Sequence, residues 1–200
     1  MKHIALLTTL LLSASLQAVE KPYDYVFFEN SLMKGDYFYS QAKYTSPSWI
    51  KNARHHLPVA GSVAFTPGNS LELTYVSAPG GDWYSEIQYC PVRGNDFFRE
   101  PSTLSMQVRL RESMNAAALP NIAIRYADST YTQYLNLRNY LKDTRPGVWH
   151  PVSIPLEDFG LNAVNDTNIK KLAAVALRPG TADGNEYTIY LDDIELLPAS

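Results

Sequence analysis

Leu104-Ser105-Met106-Gln107-Val108-Arg109-Leu110-Arg111 alternates apolar and polar side chains without a break. Successive side chains of a strand point to opposite faces, so Leu104, Met106, Val108 and Leu110 share one face and Gln107, Arg109 and Arg111 share the other. The pattern predicts a half-buried β-strand and has no 3.6-residue stripe. Three further stretches read the same way. In Asn121–Tyr126, Ile122, Ile124 and Tyr126 face a core and Arg125 points away. In Tyr131–Arg138, Leu135 and Leu137 point inward while Tyr134, Asn136 and Arg138 point outward. In Trp83–Tyr89, Ile87 marks the core face and leaves Tyr84, Glu86 and Gln88 opposite.

Turn chemistry separates these runs: Pro67-Gly68-Asn69, Pro79-Gly80-Gly81-Asp82, Arg93-Gly94-Asn95-Asp96, Pro146-Gly147 and Ala182-Asp183-Gly184-Asn185. Helical candidates are short, around Pro155–Phe159 and Asn165–Lys170. Short strands at this spacing predict an all-β fold, a two-sheet antiparallel sandwich of the jelly-roll type.

The chain opens with Met1-Lys2-His3, a nearly unbroken apolar run from Ile4 to Leu12, and small residues up to Ala18. A basic start, a short apolar segment and a small residue at a cleavage point predict a signal peptide over 1–18. The run is too short to span a bilayer core of ~30 Å, so no membrane anchor is expected. The mature part, 19–200, is expected to be one domain in an extracytoplasmic, secreted or periplasmic, setting. The formal net charge is −3, and losing Lys2 makes it more negative. No basic field for nucleic acid is present. The lone Cys90 has no internal disulfide partner and reads as a small buried hydrophobe.

Three stretches carry a family resemblance. Tyr25-Val26-Phe27-Phe28-Glu29-Asn30, the segment Gly147-Val148-Trp149-His150-Pro151-Val152 with its continuation to Phe159, and Tyr187-Thr188-Ile189-Tyr190-Leu191-Asp192-Asp193-Ile194-Glu195-Leu196 resemble the first strand, a strand with its short helix, and the last strand of a known group. That group is the galactose-binding-like carbohydrate-binding modules of secreted glycan-degrading enzymes. The resemblance implies noncatalytic binding of a poly- or oligosaccharide, with a glycan-active enzyme as a covalent or non-covalent partner. It also implies a structural calcium held by Glu29 and Asp192, with carbonyls near Pro67-Gly68-Asn69 as further ligands. Strand parity sets Tyr190, Asp192, Ile194 and Leu196 on one side, which selects Asp192 over Asp193 as the ligand. A carboxylate on an apolar face needs a partner.

The polar side chains opposite the core sets form the candidate binding face: Tyr84, Glu86, Gln88, Gln107, Arg109, Arg125, Tyr134, Asn136 and Arg138. Planar hydrogen-bonding groups and aromatic rings match sugar hydroxyls and sugar faces. The arginines bring acidic polysaccharides into the ligand class, because guanidinium presents a rigid fork to carboxylates and sulfates. An ordinary solvated outer face is the competing reading. Among aromatic residues near turns, Trp49, Trp83 and Tyr131, Trp83 after Gly80-Gly81-Asp82 is the preferred stacking residue, whereas Trp149 reads as structural.

No catalytic residue is assigned. Arg54-His55-His56 lacks a metal-ligand spacing, and Glu86 is the one acid placed on the polar face. Two alternatives to a binding module stay open: a jelly-roll lyase or hydrolase on an acidic glycan, with Tyr134 as acid/base beside Arg125 or Arg138, and a structural or protein-binding sandwich.

Overall fold

The computed structural model describes residues 25–32, 34–89, 101–161 and 171–198. The expected signal segment, Cys90, the turn at 93–96 and the helical candidate at 165–170 lie outside the described residues. Twelve strands are described: β1 (Tyr25–Phe28), β2 (Ser40–Thr45), β3 (Trp49–Ile50), β4 (Val59–Ala60), β5 (Ser70–Val76), β6 (Asp82–Gln88), β7 (Pro101–Leu110), β8 (Asn121–Tyr126), β9 (Leu135–Asn136), β10 (Trp149–Pro155), β11 (Leu172–Arg178) and β12 (Glu186–Pro198).

They form two antiparallel sheets. The seven-stranded sheet runs β10-β7-β12-β5-β3, with β1 also on β12 and β4 also on β5, and the five-stranded sheet runs β2-β6-β11-β8-β9. The structure is therefore all-β and two-layered, as the alternation predicts. Of the two helical candidates, Leu156–Phe159 is a short 3-10 turn.

The core lies between the layers. From the seven-stranded sheet come Leu104, Met106, Val108 and Leu110 of β7 and Leu71, Leu73 and Tyr75 of β5. The facing layer supplies Trp83 and Ile87 of β6, Ile122 and Ile124 of β8, and Val175 and Leu177 of β11. Each such apolar side chain contributes roughly 1.5–3 kcal/mol on leaving water.

Three placements differ from the sequence reading. Trp83 is not a loop residue: it shares the core parity of Ile87, is fully buried, and donates its Nε1–H to Ser77 Oγ at 2.9 Å. It offers no face to a sugar. The segment Tyr131–Arg138 is not one strand. Tyr131 makes an isolated bridge to Arg125 of β8, Leu135–Asn136 forms the short strand β9 on β8, and Leu137–Asn139 is a 3-10 turn capped by the Asn136 side chain, which accepts from Arg138 N–H. Lastly, β12 carries a bulge between Asp192 and Glu195, where Asp193 adopts φ 46°. One extra residue reverses the parity, so Tyr190 and Asp192 lie on the outer face while Ile194 and Leu196 enter the core.

Candidate functional site

The outer face of the five-stranded sheet is lowest along its middle strand. Ala174 and Ala176 of β11 and Ala123 of β8 are fully buried there, because longer side chains on the flanking strands close over them. Gln41 and Lys43 of β2, Tyr84 and Glu86 of β6, Arg125 of β8, Ser129, Tyr131, and Arg178 of β11 line a groove of about 490 Å³.

Glu86 and Arg125 meet above the alanines. Arg125 Nε lies 2.6 Å from Glu86 Oε1, with the two side chains 16% and 4% exposed. The Nε–H is not aligned on the carboxylate, so the contact is an ion pair rather than a directed hydrogen bond. Arg125 Nη1 donates to Tyr126 O at 3.0 Å. Glu86 Oε1 also accepts from the Tyr131 hydroxyl at 3.1 Å, and the Tyr131 and Tyr84 hydroxyls are 3.1 Å apart. Burial first, then hydrogen bonds with Glu86 and Tyr131, push the Tyr84 phenol well above the ordinary tyrosine range. It therefore stays protonated, as a donor.

A tight turn delivers Tyr131. Asp128 Oδ1 accepts from Thr130 N–H and Oγ1–H, Ser129 turns the chain at φ 69°, and Tyr126 N–H donates to Thr130 O. This sets Tyr131 opposite Arg125 in an antiparallel bridge. Thr132 fastens the segment: its N–H donates to Ile124 O, and its Oγ1 accepts from Ile124 N–H. Tyr134 follows. The Tyr131 and Tyr134 rings lie 6.1 Å apart at 27°, and each residue is 37% exposed. Arg178 donates from Nε to the Tyr134 hydroxyl at 3.2 Å and lies 5.6 Å and 5.7 Å over the Tyr84 and Tyr134 rings.

Of the sequence-nominated face, Tyr84, Glu86, Arg125 and Tyr134 come together here. Gln88 shares the face, in register with Ala174, outside the groove lining. The others do not. Gln107 and Arg109 belong to β7 in the opposite sheet, so they face away from the groove. Asn136 caps the turn and donates to Leu119 O and Asn121 Oδ1. Arg138 sits exposed on the same turn. Gln41, Lys43, Ser129 and Arg178 were missed. Leu172–Arg178 carries a readable alternation that sets Arg178 with Ala174 and Ala176, opposite Val175 and Leu177; Ser40–Thr45 has too few apolar residues to show one.

Glu29 and Asp192 lie elsewhere, near the β12 bulge. Asp192 is fully buried. Its Oδ2 accepts from Phe65 N–H at 2.8 Å and Thr66 N–H at 3.3 Å, and its Oδ1 accepts from Asp193 N–H at 2.9 Å. Burial raises its pKa to about 6, against those N–H bonds. Asn30 and Asn69 tie the neighbouring loop to the end of β1: Asn69 N–H donates to Asn30 Oδ1, Ser31 N–H to Asn69 Oδ1, and Asn69 Nδ2 to Ser31 O. Gly68 is required there, because a Cβ would lie 1.8 Å from Asn30 Oδ1. Both Asp192 oxygens are turned onto N–H donors, whereas a calcium ion takes six to eight oxygens.

Residues 24–197 match the family described as carbohydrate binding domain 30. The chain belongs to that family. Noncatalytic binding of carbohydrate is its function. Among similar solved structures is the family 30 carbohydrate-binding module of a cellulosomal cellulase of Clostridium thermocellum, with a TM-score of 0.64 and 17% identity over 88% of this chain and 98% of that one. Another is the family 11 module from Clostridium thermocellum in complex with a β-1,3-1,4-mixed-linked tetrasaccharide. Its TM-score is 0.54 and its identity 13%, over 82% of this chain and 91% of that one. At these identities the likeness supports the sandwich fold shared with this carbohydrate binding domain 30 chain. Among the described residues, no helix is long and apolar enough to cross a membrane.

Proposed function

We propose that the groove of the five-stranded sheet is the sugar site and that it takes a β-linked glucan chain. The observation that carries this reading is the pair of Tyr131 and Tyr134 rings, 37% exposed and nearly parallel, beside a buried network of planar hydrogen-bonding groups. An aromatic ring presents an apolar face to the C–H side of a pyranose, while Glu86, Arg125, Gln41 and the Tyr84 hydroxyl offer acceptors and donors to its rim. The polymer class is supported by one relative that is a module of a cellulase and another seen with a β-1,3-1,4-mixed-linked tetrasaccharide.

Affinity electrophoresis in gels containing mixed-linked β-glucan or hydroxyethyl cellulose tests this. Wild-type protein is expected to be retarded. Tyr131→Ala and Tyr134→Ala should each weaken binding about tenfold, roughly 1.4 kcal/mol, with the fold intact by circular dichroism. Full retardation in both variants would move the site off this face.

The same reading places the chain outside the cytoplasm, delivering a glycan-degrading enzyme to its polymer. The leader-like residues 1–18 support export, and the cellulase context of the relatives supports the enzyme partner. N-terminal sequencing of exported protein should begin at or close to Val19; protein confined to the cytoplasm with Met1 intact would sink the export reading.

A further inference from the structure

We infer that one end of this groove recognises an anionic group, a carboxylate or a sulfate ester, carried on the sugar chain. The inference rests on the groove being the sugar site. Four charged side chains line it: Lys43, Glu86, Arg125 and Arg178. Glu86 is already engaged, buried and contacted through one oxygen by both Arg125 and Tyr131. Arg178's contact with a carboxylate is with Asp82 at 3.3 Å, in which both side chains are about half exposed. Such pairs are worth little and exchange partners readily. Lys43 is exposed and has no carboxylate partner among the described residues. The groove thus holds an excess of positive charge in a chain whose formal net charge is −3. Its sign opposes that of the whole molecule, so it is a local feature.

Register brings the cations together. Lys43 is opposite Tyr84 in the β2–β6 pair, and Leu177 is opposite Ser85 in the β11–β6 pair, which sets the next residue, Arg178, beside Tyr84. Lys43, Tyr84 and Arg178 therefore form one row across three strands, with the two cations' backbones roughly 10 Å apart. An anionic substituent over Tyr84 meets an ammonium on one side and a guanidinium on the other, with a phenol hydroxyl between them. Arg178 is fixed by its Tyr134 hydrogen bond, so its fork is preorganised for planar oxyanions. A neutral chain offers the two cations hydroxyls alone.

Hydroxyethyl cellulose, carboxymethyl cellulose and cellulose sulfate share one backbone and differ in charge. Wild-type protein in gels of each, at ~10 mM salt, is expected to bind at least one anionic polymer about threefold to fivefold more tightly than the neutral one. The gap should close at ~0.5 M salt. Preference for carboxymethyl cellulose alone assigns a carboxylate; preference for the sulfate alone assigns an ester. Lys43→Gln, a surface change that leaves Arg178 in place, should roughly halve the anionic-to-neutral ratio. Equal binding of all three polymers by the wild type, or an unchanged ratio in Lys43→Gln, overturns the inference while leaving the glucan reading standing. Retardation by none of them removes both.

Discussion

The outer faces of the two sheets carry the same kinds of residue and do different things with them. Across the five-stranded sheet, Tyr84, Glu86, Arg125 and Arg178 stand around a floor of alanines on the middle strand β11. Across the seven-stranded sheet, Glu72, Tyr190, Arg109 and Trp149 form one row over β5, β12, β7 and β10. There the middle strand β12 presents Tyr190 and Asp192, and the loop carrying Phe65 and Thr66 is bonded down onto Asp192. Small residues at the centre of one sheet leave a groove; long residues and a fastened loop stand at the centre of the other. A groove on a sandwich is thus decided by the central strand, more than by how many polar residues point outward.

The largest expected break in that contrast is at the ion pair. Removing one partner of a buried pair leaves the other charge uncompensated, so Glu86→Ala should lose about 3 kcal/mol of stability and abolish retardation on β-glucan gels. Arg109→Ala, on the opposite face and with Nε unbonded, should cost about 1 kcal/mol or less through packing of its stem. Urea denaturation measures both. Equal costs would mean that the Glu86–Arg125 pair matters no more to the fold than the unpaired Arg109.

Next in size is the carboxylate that fastens the loop on the seven-stranded sheet. The folded pKa of Asp192, about 6, lies above its unfolded value. The folded state then binds the extra proton, so this contribution is fully present below about pH 4 and is lost as pH rises through about 6, amounting to about 2 kcal/mol. Asp192→Asn should flatten that interval of the stability profile while losing one N–H acceptor. The wild-type minus variant difference isolates the effect; a difference constant from pH 4 to 7 would show that Asp192 does not titrate there.

A smaller effect separates the aromatic residues of the two faces. Tyr134→Ala should lower glucan affinity about tenfold, while Tyr190→Ala should change it less than about twofold, since Tyr190 has no access to the groove. Isothermal titration with a mixed-linked glucan oligosaccharide reads both. A matching loss at Tyr190 would put a second sugar site on the seven-stranded sheet.

The strands were legible because alternation is a local property. Leu104–Leu110 and the β6 stretch bury the expected sets, and Asn121–Tyr126 buries Ile122 and Ile124 with Tyr126 partly buried against the core. Alternation says which side of a strand is polar, but not which sheet the strand joins. Hence Arg109 and Arg125, identical in pattern, were placed on one face and stand on two. The β12 bulge was invisible for a related reason: Asp tolerates positive φ better than most residues, but nothing in Asp192-Asp193 announces that it adopts one. Trp83 was readable, since it stands four residues before Ile87 on the same parity; its neighbouring glycines drew the reading toward a loop. Arg178 was readable as well, two residues past the alanines that shape the groove.

The smallest expected effect is the response to calcium, and it follows from how the first strand, the loop and the last strand are joined. A calcium ion bridging them would collect oxygens from each. Here the bridging is done by hydrogen bonds: Asn30 and Asn69 join β1 to the loop, Asp192 accepts from Phe65 and Thr66, and Thr66 Oγ1–H donates to Asp193 Oδ2 at 2.7 Å. An ion on Asp192 would compete with the N–H groups that now hold its carboxylate. Thermal unfolding of the full chain in millimolar chelator and in millimolar calcium should therefore give midpoints within about 1 °C, well below the several degrees that binding at a hundredfold excess over Kd would produce. A chelator-induced drop of several degrees, lost in Asp192→Asn, would show instead that the loop opens to let calcium replace these bonds. The seven-stranded face would then be the one that rearranges around a ligand.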